Sequence, residues 1–222
     1  MTAAEILTQL KSLANPANVV GMARYGINSR NTLGVSIPQL RQIAKQVGMD
    51  HALALALWQS GIHDARILAA YIDDPARVTL AQMERWVKDF DSWDVCDQVC
   101  SSLFDKTPYA HRVAVAWARR EPEFVRRAGF VMMAALAVHD KAASDAAFLK
   151  FLRIIQRHST DERNFVKKAV NWALRQIGKR NRALNRAAIA TAKEIQKIES
   201  KTARWIAADA LRELQAKGFK NG

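Results

Sequence analysis

The stretches Phe124-Val125-Arg126-Arg127-Ala128 and Phe165-Val166-Lys167-Lys168-Ala169 repeat one pattern 41 residues apart. The second stretch continues to Ile177, and its end, Ala173-Leu174-Arg175-Gln176-Ile177, matches Ala210-Leu211-Arg212-Glu213-Leu214 at an offset of 37. Both offsets are close to the period of roughly 40 residues that HEAT-type helix pairs show. Accidental similarity is the alternative, because amphipathic helices share composition. We favour stacked helix pairs over an unrelated helical bundle.

Helical signals recur on both sides of these repeats, whereas alternating strand patterns are nearly absent. Breaks fall at Gly, Pro, Asn or Asp. The pattern predicts twelve helices, near residues 2–14, 37–47, 50–60, 63–73, 79–90, 92–105, 108–120, 122–138, 143–158, 162–179, 182–197 and 200–216. We therefore expect an all-α fold, a right-handed solenoid of about six HEAT-like antiparallel helix pairs that forms one domain over residues 1–222.

Basic residues are concentrated in the second half of the chain. Residues 1–111 hold 10 Lys and Arg against 11 Asp and Glu, a net charge of −1, whereas residues 112–222 hold 24 against 10, a net charge of +14. Such an asymmetry is typical of a surface that binds a polyanion. Duplex DNA is the obvious candidate, because basic side chains that neutralise phosphates release counterions. RNA and anionic lipid satisfy the same charge argument, but no RNA module and no long basic amphipathic terminus favours them.

Solenoids expose the same edge of every repeat, so basic residues that recur at that edge would line a concave groove. Each such residue alone is more often a solvated surface charge. The residues dense enough to line a groove are Lys167, Lys168, Arg175, Lys179, Arg180, Arg182, Arg186, Lys193 and Lys197.

The stretch Ser92-Trp93-Asp94-Val95-Cys96-Asp97 opens a predicted helix. Asp91 or Ser92 can cap this helix, and Asp94 complements its positive end. Asp97 lies one turn beyond Trp93 on the same face, and a carboxylate beside a large aromatic side chain is a candidate active-site acid. The alternative is that Trp93 belongs to the core and Asp97 pairs with an arginine of the next repeat.

Other chemistries have little support in the sequence. Cys96 and Cys100 lie four residues apart on one helix, which favours two small buried hydrophobic residues in a reducing compartment over a disulfide or a metal site. A Gly-rich phosphate loop, a nucleophile elbow and an HExxH helix are all missing. Five histidines are dispersed, and the pair His63-Asp64 is too close in sequence to indicate a site. We expect no metal and no cofactor.

The chain shows neither a secretory signal nor a run of apolar residues long enough to span a bilayer. We therefore expect a cytoplasmic protein, associated with the nucleoid when it is bound to DNA. Monomer is the default expectation.

Several segments together resemble the AlkD family of HEAT-like repeat alkylpurine DNA glycosylases. They follow the family's order over roughly residues 20 to 180, and they are Gly21–Ile27, Leu33–Arg41, Ser92–Asp97, Val125–Ala128 and Lys168–Arg175. In that family a tryptophan and an aspartate four residues apart, an arginine on a later helix and a second tryptophan form the active-site cleft. The matching residues are Trp93, Asp97, Arg127 and Trp172, with Arg126 competing for the arginine role. The chain departs from the family pattern of two adjacent tryptophans, because Ser92 precedes Trp93.

The resemblance implies hydrolysis of the N-glycosidic bond of cationic alkylated purines, such as 3-methyladenine and 7-methylguanine, in double-stranded DNA. Asp97 would stabilise the oxocarbenium-like sugar or position the attacking water. Trp93 and Trp172 would attract the cationic base or pack against the sugar. Arg127 would hold a phosphate, and further contacts to the DNA would come from Arg126, Lys167, Lys168, Arg175, Lys179, Arg180 and Arg182.

Rival interpretations stay open at this stage. From the residues alone, Trp172 is ordinary core and Arg127 a surface residue. The chain as a whole could instead be a non-catalytic HEAT-repeat protein that binds distorted or branched DNA, or a scaffold for other proteins.

Overall fold

The computed structural model describes residues 1–216, which contain thirteen α-helices, two short 3-10 turns and no strand. The described part of the chain is therefore all-α, as the sequence predicts. It divides into two compact units, Met1–Thr107 and the residues from Pro108 onward. The boundary falls in the uncharged stretch between Lys106 and Arg112, so the acidic and basic halves of the sequence coincide with the two units. The expectation of one domain over residues 1–222 stays a prediction.

The first unit contains seven α-helices, with 3-10 turns at Val87–Asp89 and Phe104–Lys106. The helices are α1 (Ala3–Ser12), α2 (Pro16–Arg24), α3 (Ile37–Val47), α4 (His51–Gln59), α5 (His63–Ile72), α6 (Leu80–Trp86) and α7 (Trp93–Ser102). Helix α5 is central, since it packs against α3, α4 and α7. This position is why eight of its ten residues are buried, including His63 and Asp64 at its start.

The described part of the second unit, up to residue 216, contains six helices, five of which have 13 to 17 residues. They are α8 (Ala110–Trp117), α9 (Glu123–His139), α10 (Asp145–Arg157), α11 (Asn164–Gly178), α12 (Arg182–Gln196) and α13 (Lys201–Ala216). Helices α9, α11 and α13 begin 41 and 37 residues apart, and α11 packs against both α9 and α13. The repeat offsets in the sequence therefore correspond to successive helices of one stack.

Helix α9 forms the core of the second unit, because every residue from Val125 to Ala137 is buried. It also lies very close to the end of α8. A Cβ atom added to Gly129 would fall 2.2 Å from the backbone nitrogen of Ala118. Glycine is therefore required at this position by the backbone approach of two helices.

The sequence prediction missed one helix, α2. Pro16 occupies its first turn and the Asn15 side chain accepts a hydrogen bond from the Asn18 N–H, so its start has ordinary helix signals. None of its residues is buried, however. A helix without a buried face leaves no apolar periodicity in the sequence, and this absence explains the miss.

In residues 1–216, no helix combines the length and apolarity needed to cross a bilayer.

Candidate active site and nucleic-acid interface

Helix α7 is anchored at its start to the segment that follows α2. Ser92 occupies the N-cap position but makes no capping hydrogen bond within its own helix. Its hydroxyl instead accepts from the backbone N–H of Asn28 at 3.1 Å, and Asp91 accepts from the Asn28 side chain at 2.7 Å. The expected capping by Ser92 or Asp91 is therefore wrong, because both side chains hold a distant loop.

Trp93 and Asp97 lie one turn apart on α7, and both are half-buried. The indole Nε1 of Trp93 donates to the backbone carbonyl of Tyr25 at 3.1 Å, which fixes the ring on the surface side of the helix. The ring is therefore not enclosed in the core, and the alternative that Asp97 pairs with an arginine of the next repeat stays a prediction. The structure thus brings together the aromatic ring and the carboxylate that the sequence placed on one helix face.

The opposite face of α7 is buried and carries the two cysteines. Cys96 and Cys100 are free thiols with no exposed surface, as the sequence predicts. Burial raises the pKa of the Cys100 thiol well above its usual range, and the neighbouring Cys96 thiol and the Asp97 carboxylate raise it further. The Cys100 thiol is therefore neutral and packs in the core. Among residues 1–216, no group of His, Cys, Asp and Glu side chains is arranged as a metal site.

A cavity of about 610 Å³ lies in the first unit beside Trp93. Its walls are mainly apolar and come from α2, the segment after it, α5 and the start of α7. The lining includes Met22, Ile27, Val35, Ile67 and Trp93, and its polar residues are Asn18, Ser36, His63, Asp64 and Asp94. Three of the segments that carry the family resemblance, Gly21–Ile27, Leu33–Arg41 and Ser92–Asp97, therefore contribute to the walls of one cavity.

Asp64 fixes the loop that forms one wall of this cavity. Its two carboxylate oxygens accept from the backbone N–H groups of Leu33 at 2.7 Å and Val35 at 2.8 Å. Between them Gly34 has φ +76°, and a Cβ atom there would lie 2.5 Å from the Asn15 carbonyl oxygen. A buried carboxylate with two amide donors and an obligatory glycine thus set the loop's path.

His63 and Asp94 join α5 to α7 at the polar end of the cavity. His63 Nε2 lies 2.8 Å from Asp94 Oδ2, and the imidazole is almost fully buried. Burial alone would lower the pKa of His63, but the hydrogen bond and the charge of Asp94 raise it above its ordinary value. Sequence reasoning missed this pair, because the partners are 31 residues apart and only the adjacent Asp64 drew notice.

The second predicted group, Arg127 and Trp172, lies in the second unit on α9 and α11. Arg127 is 5% exposed, and its Nη1 donates to the Phe165 carbonyl at 2.6 Å. The alternative of a surface arginine is therefore wrong. Trp172 is half-buried beside the buried Asn171, so part of its indole is exposed, and its role stays a prediction.

Arg126, the competitor of Arg127, is held by three partners. Its Nε donates to the Arg120 carbonyl at 2.7 Å, its Nη1 to Asp161 at 2.9 Å and its Nη2 to Glu121 at 2.6 Å. All three nitrogens of the guanidinium are thus engaged within the protein. Arg180 is similar, with its Nη1 and Nη2 on the carbonyls of Ala137 and Ala143 and its guanidinium 4.3 Å from the ring centroid of Phe148.

The remaining predicted DNA contacts fall into two groups. Arg175 and Lys179 share Glu213, at 2.6 Å and 2.7 Å, so one carboxylate offsets part of their charge. Lys168 and Arg182 are exposed, and Lys167 is half-buried. Sequence density alone could not show that Arg175 and Lys179 share a carboxylate, since Glu213 lies on α13.

Comparison with known proteins first defines the fold class. A solved structure of "a new family of proteins related to the HEAT-like repeat DNA glycosylases with affinity for branched DNA structures" superimposes with a TM-score of 0.80 at 21% identity, over 96% of this chain and 95% of that one. The chain thus has the HEAT-like repeat fold of those proteins. A family model described as "DNA alkylation repair enzyme" matches residues 6–214. The chain belongs to this DNA alkylation repair family. No curated protein sequence matches it significantly.

Proposed function

We propose that this protein is a monofunctional DNA glycosylase that hydrolyses the N-glycosidic bond of cationic alkylated purines, such as 3-methyladenine and 7-methylguanine, in duplex DNA. The observation that carries the proposal is the pairing of Trp93 and Asp97 on the accessible face of α7. Membership of the alkylation repair family supports the substrate class. The net charge of +14 in residues 112–222 supports a polyanionic partner.

The reaction does not need a strong general acid. Alkylation at N3 or N7 leaves the purine cationic, so the base departs as a neutral molecule with the electron pair of the glycosidic bond. Positive charge then develops on the deoxyribose, and a nearby carboxylate stabilises it, as in sugar hydrolases. Water adds to C1′ and loses a proton. In this proposal Asp97 is the carboxylate, either stabilising the sugar or also orienting the water.

The family resemblance assigns roles to the other aromatic and basic residues. An indole face attracts a cationic base, and the fixed orientation of Trp93 on the Tyr25 carbonyl limits the entropy lost on binding. Trp172 has the same proposed role. We assign the phosphate contact to Arg127, because this residue matches the family's arginine, and Arg126 is its competitor.

Excision is tested by release of 7-methylguanine and 3-methyladenine from alkylated duplex DNA. We expect release by the parent and a loss of at least a hundredfold in rate for Asp97→Asn, since removing one electrostatic stabiliser costs about 10² to 10³ in rate. Trp93→Ala should also slow release. Glu199→Gln is a matched control, because this exposed carboxylate is remote in sequence from α7 and loses the same charge. Excision by Asp97→Asn at the parent's rate would refute the site.

The second candidate function is binding of branched or distorted DNA without excision. The solved structure with affinity for branched DNA favours it, as does the strong basic charge of the second unit. Retention of Trp93 and Asp97 at the motif spacing favours catalysis instead. Intact binding of a four-way junction with no release of any cationic lesion would establish this candidate over the first.

Neutralisation of DNA phosphates by basic residues of the second unit can be tested separately. We expect Lys168→Ala to weaken binding to all DNA sequences about equally and to reduce the slope of log affinity against log salt by about 1. Lys45→Ala is a control of the same charge, since Lys45 is exposed and lies in the first unit, outside the basic half of the chain. An unchanged salt slope for Lys168→Ala would remove this residue from the DNA contacts.

A further inference from the structure

Trp205 on α13 occupies the repeat position of two residues already assigned to DNA. It lies 37 residues after Lys168, which lies 41 residues after Arg127, and the starts of α13, α11 and α9 have the same spacing. By the same equivalence Arg204 corresponds to Lys167. The side-by-side packing of these helices makes the equivalence spatial as well as sequential.

The surroundings of Trp205 are basic. The indole is 43% exposed, and the Lys167 ammonium lies 5.8 Å from its ring centroid. Lys201, one turn before Trp205 on the same face, and Arg204 are both exposed, as is Lys168 on α11. We call these five residues, Lys167, Lys168, Lys201, Arg204 and Trp205, the Trp205 patch.

One acidic residue of α13 close to the patch is already matched by cations. Asp209 follows Trp205 by one turn, and its carboxylate pairs with Arg212 and lies 3.6 Å from Arg175. Among the described residues, no carboxylate is within salt-bridge distance of Lys168, Lys201 or Arg204. The patch therefore presents an aromatic face among uncompensated positive charges.

Two separate properties of a ligand would match this patch. Its cations favour a phosphate backbone, and its exposed indole favours a flat aromatic ring. Bases inside a duplex have both faces covered by their neighbours, so only an unpaired base can stack on an indole at the protein surface. Nucleic acid with single-stranded character satisfies both requirements, whereas an anionic lipid surface supplies only the first.

We propose that the Trp205 patch is a stacking platform for an unpaired DNA base at a branch point or single-stranded segment, with Lys168, Lys201 and Arg204 on the flanking phosphates. This role rests on the DNA binding in the proposed function but not on catalysis. It gives the chain a way to prefer branched over continuous duplex DNA.

The test compares a forked DNA carrying a single-stranded arm with a continuous duplex of equal phosphate number, by fluorescence anisotropy at fixed salt. Stacking of one base on an aromatic side chain is worth roughly tenfold or more in affinity. We expect Trp205→Ala to lose about tenfold on the fork and less than twofold on the duplex. Trp205→Phe should keep most of the fork affinity, because it retains an aromatic face.

Two further variants keep the result interpretable. Trp205→Lys introduces lysine, the residue found at the equivalent position of α11. This variant should bind the duplex as well as or better than the parent, but it should lose the preference for the fork. Leu149→Ala removes another large apolar side chain with 43% exposure, on α10, and should alter neither affinity.

Three outcomes would overturn the proposal. Unchanged fork affinity in Trp205→Ala and Trp205→Lys would show that no base stacks there. An equal loss on fork and duplex in Trp205→Ala would make Trp205 a general contact. Failure of the parent to bind any DNA would refute the proposed function together with this patch, whereas the first two outcomes leave that function intact.

Discussion

Asp161 is the residue whose substitution tests most directly how the arginine region of the second unit is built. Its side chain is 8% exposed and lies 2.9 Å from Arg126 Nη1. It also accepts from Nε of Arg163 at 2.9 Å and from Nη2 at 2.5 Å. The change Asp161→Asn keeps the shape of the side chain but removes the charge that faces both guanidinium groups.

The size of the effect follows from the pKa of Asp161. Burial alone would raise it, but the hydrogen bonds from Arg163 and Arg126 lower this pKa from 3.8 to about 2. A difference of about 1.8 pKa units corresponds to about 2 kcal/mol of folding free energy. Asp161 is only half-buried as a residue, so solvent screening makes this figure an upper limit. We expect Asp161→Asn to lower the free energy of unfolding at pH 7 by up to this amount.

The pH dependence has a definite sign. A carboxyl whose pKa is lower in the folded state stabilises that state above its unfolded pKa of about 4, and the contribution is lost as pH falls through the folded pKa of about 2. Urea denaturation of the parent and of Asp161→Asn should therefore differ by up to about 2 kcal/mol at pH 5 to 7. The difference should shrink steadily below pH 4.

The matched control is Glu121→Gln. Glu121 also bonds Arg126, at 2.6 Å, but its side chain is 88% exposed. Exposed ion pairs contribute at most about 1 kcal/mol, so this variant should stay within a few tenths of the parent. Equal destabilisation by the two substitutions, or a deficit of Asp161→Asn that is the same at pH 3 and pH 7, would refute the reasoning.

Three further predictions concern the packing and the cavity. Gly129→Ala should destabilise the protein by at least 2 kcal/mol in urea denaturation, because the new Cβ would meet the α8 backbone at 2.2 Å, whereas Gly21→Ala, with nothing within 4 Å, should be neutral or slightly stabilising. Asp64→Ala leaves two loop N–H groups without their acceptor, so we expect a loss of about 2 to 4 kcal/mol and faster hydrogen exchange in that loop. The NMR titration of His63 should give a pKa above 6.5 that falls in Asp94→Asn. Since a raised histidine pKa stabilises the fold at low pH, Asp94→Asn should cost more stability at pH 6 than at pH 9.

The extent of the helices could be predicted from sequence because their apolar periodicity and breaks are local properties. The predicted starts near residues 162 and 200 lie within two residues of the observed starts of α11 at Asn164 and α13 at Lys201. Helix α2 could not be found in this way, since it buries none of its residues. Periodicity reports burial rather than helix formation, and α2 owes its form to Asn15, Pro16 and its neighbours in the first unit.

The Trp93 and Asp97 pair could be predicted because both residues lie on one helix, where spacing fixes geometry. The cavity beside them could not, because His63 meets a partner 31 residues away and Asp64 meets backbone groups 29 and 31 residues away. No short sequence pattern predicts contacts between residues so far apart in the chain. These contacts depend on how α5 packs against α7 and on the positive φ of Gly34.

The basic pairs of α9 and α11 show that the role of a basic residue depends on its contacts in the fold and not on the sequence pattern alone. Arg126-Arg127 and Lys167-Lys168 occupy the same register, yet both arginines are buried while Lys168 is exposed. A planar guanidinium can be satisfied inside a protein by carbonyl and carboxylate oxygens, whereas an ammonium is more strongly hydrated and stays in water. The three bonds of Arg126 make it a structural residue, so we expect Arg126→Ala to reduce stability. Arg127 is also buried and donates to the Phe165 carbonyl, so Arg127→Ala should reduce stability too, and a phosphate contact would add a separate loss of excision. A separate loss of excision in Arg126→Ala instead would transfer the phosphate contact to Arg126.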